Sequence, residues 1–206
     1  MHKAFSAMPV CALLLAGCAG QSGTDLAVTF DSGVAAYDAG DYPRAYKIWS
    51  GIDNYDLAAM RNVAMMLRSG QGVPKDPKKA EELYQTAAEA GLPTAQADLA
   101  DMLLKGEAGP PDAKAALPLL EAAAAANHPV AQYELAQMYE TGQDGLVPKD
   151  ADMAKKLYAA AASHGMKDAQ TRLDQINGPG GPVRLMQPAP QTAVTSSSPP
   201  GLRGQP

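Results

Sequence analysis

Small and apolar residues recur along this chain with a period of 36 to 38 positions. Ala59, Ala95 and Ala131 open three similar blocks, and Ala169 opens a fourth one after a gap of 38 residues. Matching glycines, aspartates and block-ending residues follow in register: Gly70, Gly106 and Gly142, then Asp76, Asp112 and Asp150, then Gly91, Asn127 and Gly165. A fixed period of this length indicates stacked supersecondary units, each too small to bury its own apolar face.

Within a block, the spacing of apolar residues predicts two antiparallel helices. In the first block, helical spacings of three and four predict a first helix from Leu57 to Ser69 with one buried stripe: Met60, Val63, Ala64 and Leu67. A glycine-rich loop follows, and Asp76-Pro77 supplies an N-cap and a first-turn proline for a second helix that runs to Ala90. The predicted fold is therefore all-α, an α-solenoid of antiparallel helix pairs.

The same pattern sets the domain limits. The solenoid is predicted over residues 31–177, with a diverged helix pair at its start and only a first helix in its last unit. Residues 18–30 are small and polar and predict a flexible tether. Residues 178–206 are rich in Pro, Gly and Ser and predict a disordered tail.

The middle block carries a proline inside its second predicted helix. Pro118 falls inside its second predicted helix, where the missing amide and a steric clash disfavour a regular helix. We expect this helix to be kinked or to start late.

The N-terminus predicts export and lipidation. Residues 1–17 combine a short positive start with an apolar run that is too short to span a bilayer, as in a signal peptide. The string Leu15-Ala16-Gly17-Cys18 resembles the bacterial lipobox, in which the cysteine is acylated and becomes the new N-terminus. The alternative is ordinary cleavage after Ala19. A lipidated protein would be held on a membrane and face the periplasm. In some bacteria an aspartate directly after the lipidated cysteine marks retention in the inner membrane. This chain has Ala19 at that position, which favours the outer membrane.

Charge and chemistry narrow the function. Without residues 1–17 the chain has 16 basic and 22 acidic side chains, a net charge of −6 that argues against nucleic acid as a partner. It would then hold no cysteine besides Cys18. His128 and His164 lie at predicted unit-ending turns with no metal-ligand spacing, so we expect solvated histidines, no metal site and no cofactor.

The motifs of the first and third blocks resemble those of Sel1-like repeats, relatives of the tetratricopeptide repeat. The resemblance rests on the loops Gly70-Gln71-Gly72-Val73-Pro74-Lys75-Asp76 and Gly145-Leu146-Val147-Pro148-Lys149-Asp150, and on the Leu-Tyr and Ala-Ala pairs that follow them. The middle block fits less well, with Leu120 in place of the tyrosine. The resemblance implies an adaptor, scaffold or regulator.

By analogy with tetratricopeptide stacks, the first helix of each unit lines a concave face. The expected partner-binding residues on this face are Arg61, Met65, Arg68, Asp101, Leu104, Tyr133, Gln137 and Glu140. Their charge runs from basic to acidic along the face, and Tyr133 is the expected anchor because it is large, stiff and polar at one end. The alternative is a solvated helix face without a ligand.

These observations favour one function class over two others. The prediction is a lipid-anchored interaction module of the cell envelope that binds a protein or peptide and is not an enzyme. The alternatives are a cell-wall-related hydrolase and a scaffold component of polysaccharide export. The sequence shows no nucleophile–base pair, metal cluster or phosphate-binding loop that would support catalysis.

Overall fold

The computed structural model describes residues 23–143 and 145–178, and these residues form a helical solenoid. Its helices are α1 (Gly23–Asp38), α2 (Tyr42–Trp49), α3 (Leu57–Ser69), α4 (Pro77–Glu89), α5 (Pro93–Lys105), α6 (Ala113–Ala125), α7 (Pro129–Thr141), α8 (Ala151–Ser163) and α9 (Lys167–Asn177). The extended pairing found in these ranges is a single β-bridge between Gln143 and Val147. The all-α fold predicted from the sequence is confirmed.

Each helix packs mainly against the helices next to it in the chain, as expected of a solenoid. We call α3, α5, α7 and α9 the A helices and α2, α4, α6 and α8 the B helices. The first helix pair is predicted within one residue: α3 has the predicted bounds, and α4 ends one residue before Ala90. The predicted stripe of Met60, Val63, Ala64 and Leu67 is buried.

The B helices begin in the same way in all four units. An aspartate precedes each one and accepts a hydrogen bond from a backbone amide of the first turn: Asp41, Asp76, Asp112 and Asp150. Such a cap satisfies amides that have no partner within the helix. The recurring aspartate seen in the sequence is therefore the start signal of every B helix.

The turns from B helices to A helices after α4, α6 and α8 each contain a residue in the left-handed backbone conformation. Gly91 and Gly165 have φ values of +87° and +86°, and Asn127 takes the same place with φ +63°. Asparagine tolerates this region better than most residues with a side chain. The substitution of Asn for Gly in the middle block therefore preserves the turn.

The prediction of a flexible tether over residues 18–30 is wrong for the part that the structure describes. Residues 23–30 are helical, so α1 begins eight residues before the predicted body. Leu26 and Phe30 pack against the first core cluster, which we define as the buried side chains from α1 to α5 around Trp49. The Trp49 indole N–H donates a hydrogen bond to the Phe30 carbonyl at 3.2 Å. These contacts offset the entropy lost on ordering a segment of small and polar residues.

Pro118 lies within α6 and is exposed. The helix begins at Ala113, directly after its aspartate cap, so the expectation of a late start is wrong. The cap and the burial of Ala116, Leu120 and Ala123 hold the first turns in place despite the lost hydrogen bond. Among the described residues, no helix is long and apolar enough to cross a membrane.

Candidate functional site

The predicted partner-binding residues lie on the A helices, and we call the surface that they form the A-helix face. Arg61, Met65 and Arg68 belong to α3, Asp101 and Leu104 to α5, and Tyr133, Gln137 and Glu140 to α7. Gln137 is exposed and the other seven are half-buried. Cys18 and the tail beyond residue 178 lie outside the described residues.

The basic side chains of α3 are paired with carboxylates of the next unit. Arg61 Nε donates to Asp98 Oδ2 at 2.6 Å. Burial opposes the charge of Arg61, but the hydrogen bond and the negative charge of Asp98 outweigh burial and raise its pKa. Arg61 is therefore a bridge between α3 and α5.

Arg68 makes a second bridge at the other end of α3. Its Nε donates to Glu107 Oε2 at 2.8 Å, and its terminal nitrogen contacts both Glu107 and Asp101. Hydrogen bonding from Arg68 lowers the pKa of Glu107. Burial would raise the pKa of Asp101, but hydrogen bonds from Lys105 and Arg68 hold it below its usual range. The basic end expected from the sequence is thus neutralised by carboxylates of α5 and its following loop.

A comparable bridge joins α7 to α9. Arg172 donates to both carboxylate oxygens of Glu140. The same carboxylate accepts the hydroxyl hydrogen of the buried Tyr158 at 2.7 Å, and the pKa of Glu140 is lowered mainly by Arg172. Glu140 is therefore occupied by contacts within the protein.

The predicted anchor, Tyr133, lies in α7 and packs against buried residues of α7–α9. It is half-buried, and its ring lies 5.4 Å from the ring of Tyr158, measured between centroids. Met65 is half-buried against the first core cluster, and Leu104 is half-buried against a second one formed by buried residues of α5–α7 and Val147. Tyr133 retains an accessible surface while its neighbour fixes its orientation, which suits an interaction anchor.

Glu134 is a residue of this face that the sequence analysis missed. It is half-buried, its Oε2 atom is buried without a hydrogen-bond partner, and burial raises its pKa to about 7. The negative charges of Asp101 and Asp98 act in the same direction, whereas Lys105 and Arg68 oppose them. The 36-residue period is the sequence signal that identifies Glu134 as a residue of this face, because Asn62, Asp98 and Glu134 occupy the same position in successive blocks.

The two histidines take structural positions. His128 is the N-cap residue of α7, where Nδ1 makes a long contact of 3.5 Å with the Ala131 amide, and burial lowers its pKa. It is half-buried, so the expectation of a solvated side chain is wrong for His128, whereas His164 is exposed. Within residues 23–143 and 145–178, no group of three or more potential metal ligands comes together.

Comparisons with known proteins identify the repeat. The family model for the Sel1 repeat matches residues 57–92, 93–128 and 129–166, which correspond to the three helix pairs from α3 to α8. No curated protein sequence matches the chain significantly.

Solved structures support the same assignment. A Sel1 repeat protein from Oxalobacter formigenes is 32% identical, with a TM-score of 0.67 over 72% of this chain and 60% of its own. The protein c5321, described as a protective antigen present in uropathogenic Escherichia coli strains and displaying an SLR fold, is 26% identical with a TM-score of 0.67, over 73% of this chain and 33% of its own. This chain thus matches about three fifths and one third of the lengths of these two relatives. With three matched repeats covering more than half of its residues, the chain belongs to the Sel1 repeat family.

Proposed function

We propose that this protein is a cell-envelope interaction module that binds a protein or peptide on the concave, A-helix face of its solenoid. Sel1 repeat proteins generally mediate protein–protein interaction and are typically non-catalytic scaffolds. The observation that carries the proposal here is Tyr133, an aromatic side chain that stays half-buried and accessible on this face. Aromatic anchors of this kind contribute much of the binding energy at protein interfaces.

Site-specific crosslinking in cells tests which face binds. A photoreactive amino acid replaces Gln137, which is exposed on α7, and in a matched control it replaces Glu121, which is exposed on the B helix α6. We expect a discrete crosslinked protein from position 137 and none from position 121. A product from position 121 alone would place the binding surface on the B helices.

Tyr133→Ala then tests the anchor. We expect the captured partner to lose at least about 1 kcal/mol of binding free energy by calorimetry, as is usual for an anchor residue. Circular dichroism checks that helicity is retained. Unchanged affinity in a folded variant would contradict the anchor role.

We propose further that Cys18 carries the lipid that holds the module on a membrane facing the periplasm, with the outer membrane favoured. The support is the lipobox-like string Leu15-Ala16-Gly17-Cys18 after a short apolar run. Several acyl chains on one cysteine would give stable anchoring, where a single chain binds only marginally. Cys18→Ser should move the protein out of the membrane fraction or block its processing, and unchanged fractionation would refute the anchor.

A further inference from the structure

The ion pairs between α3 and α5 show a common register between these two neighbouring units. Arg61 of α3 pairs with Asp98 of α5, a residue that lies 37 positions later in the chain. Arg68 of α3 pairs with Asp101 of α5 and with Glu107 in the loop after it. At this junction each carboxylate is matched by a cation of the preceding A helix, whereas between α7 and α9 the cation, Arg172, comes from the following helix.

The next junction, between α5 and α7, lacks this cation. Shifting the Arg61–Asp98 pair by one period of 36 residues gives Ala97 and Glu134. The acid is retained in α7, but its expected partner in α5 is a small apolar residue that is almost fully buried. The second pair is lost in full, because Leu104 and Gln137 replace Arg68 and Asp101.

Glu134 is consequently an acid of this face without a partner of its own. Its Oε2 atom is buried and accepts no hydrogen bond from the described residues. The nearby cations do not replace the missing one, because Arg68 is bonded to Asp101 and Glu107, and Lys105 to Asp101. A partly buried carboxylate without compensation is unfavourable.

The site can still be reached by an incoming group. The Glu134 side chain as a whole is half-buried and keeps contact with solvent. Only Oε2 of Glu134 is buried without a partner, and because the two carboxylate oxygens share the charge, a cation at Oε1 compensates the whole group. A charge-assisted bond to a cation would satisfy the group that the fold leaves unpaired.

We propose that a lysine or arginine of the bound protein or peptide pairs with Glu134. This side chain supplies the positive charge that α5 lacks, because Ala97 occupies the position equivalent to Arg61. This inference rests on the proposed function, because it places the partner on the A-helix face. It specifies the partner's chemistry: a basic side chain directed between α5 and α7. Complementary charge of this kind selects partners more than it adds raw affinity.

Twelve-residue peptides selected from a random library on the protein at pH 8 serve as the probe. We expect the selected peptides to share a lysine or arginine at one position. Replacing that residue with norleucine should weaken binding to the wild-type protein at least tenfold and binding to Glu134→Gln less than twofold. Glu121→Gln, which removes the same charge from the exposed face of α6, should behave as wild type.

The pH dependence gives a second readout. The charged groups around Glu134 are Arg68 of α3 and Asp98, Asp101 and Lys105 of α5. Since the pKa of Glu134 is raised to about 7, protonation removes its charge as the pH falls from 8 to 5.5. Peptide affinity should drop severalfold over this range in the wild type and stay nearly constant in Glu134→Gln.

The possible failures are distinguishable. If Tyr133→Ala weakens peptide binding, but the norleucine replacement lowers peptide affinity equally for the wild type and for Glu134→Gln, the inference is wrong and the proposed function stands. If no peptide binds, or if Tyr133→Ala has no effect on those that do, the proposed function fails and the inference falls with it. Melting temperatures of all variants check folding, and we expect no loss of stability in Glu134→Gln because an unpaired charge is removed.

Discussion

Two neighbouring junctions of the solenoid share a backbone plan and differ in their surface chemistry. Between α3 and α5, Arg61 and Arg68 bridge to three carboxylates. Between α5 and α7, the equivalent positions hold Ala97 and Leu104, and Glu134 remains unpaired. The repeat therefore fixes where side chains are placed. Single substitutions within the period decide whether the charged groups of a junction pair with one another or remain available to a binding partner.

The core should respond alike in the two junctions, and this carries the largest expected effect. Val63, Leu99 and Leu135 occupy equivalent buried positions in α3, α5 and α7. Leu99→Ala and Leu135→Ala should each lower the free energy of unfolding by about 2–5 kcal/mol, because each leaves a cavity between packed helices. Urea unfolding measures the loss. A cost below about 1 kcal/mol for only one of them would show that the two cores are not equivalent.

The unpaired acid should make the second junction pH-sensitive. The folded-state pKa of Glu134, about 7, lies above the ordinary glutamate value of 4.5, so the folded state holds this proton more tightly than the unfolded state does. The stabilisation that protonated Glu134 gives to the folded state is fully present below about pH 4.5 and is lost as the pH rises toward 7. Glu134→Gln should therefore stabilise the protein at pH 8 by about 1–3 kcal/mol and change little at pH 4.5.

Unfolding free energies of wild type and variant at the two pH values test this expectation. Glu121→Gln is the matched control, since it removes an exposed acid from α6. An equal effect of Glu134→Gln at both pH values would contradict a raised pKa in the folded protein.

The ion pairs of the first junction should give a smaller effect than the core. Arg68→Ala leaves Asp101 and Glu107, whose side chains are about one quarter exposed, without their shared cation. We expect a loss of about 1–2 kcal/mol, between the values for surface pairs and for fully buried pairs. Because these carboxyls have lowered pKa values, the loss should shrink as the pH falls below about 4, where the unfolded acids are also protonated.

A surface pair provides the comparison for Arg68. Lys79 and Glu82 of α4 form an ion pair whose side chains are more than half exposed. Lys79→Ala should leave the midpoint of thermal unfolding nearly unchanged, because solvent screens an exposed pair. If both variants cost the same, the α3–α5 bridges contribute no more than ordinary surface contacts.

The sequence predicted the elements well because their signals are local. The bounds of α3 and the aspartate caps of the B helices depend on residues within a few positions of each other. The core positions of Leu99, Tyr84 and Trp49 follow from the same period, since stacking repeats bury equivalent residues. In a repeat protein even the tertiary contacts of the core can be predicted from the sequence, because each unit packs mainly against its neighbours in the chain.

What the sequence by itself determined is the all-α repeat, its register and the set of residues that share the A-helix face. The tertiary structure decided which charges meet. Arg61 meets Asp98, and Arg172 meets Glu140, across distances of 37 and 32 residues in the chain. Those pairings depend on the lateral offset of adjacent A helices, which no local signal encodes. Glu134 became distinctive only when its neighbours in space, rather than in sequence, showed that no cation was left to pair with it.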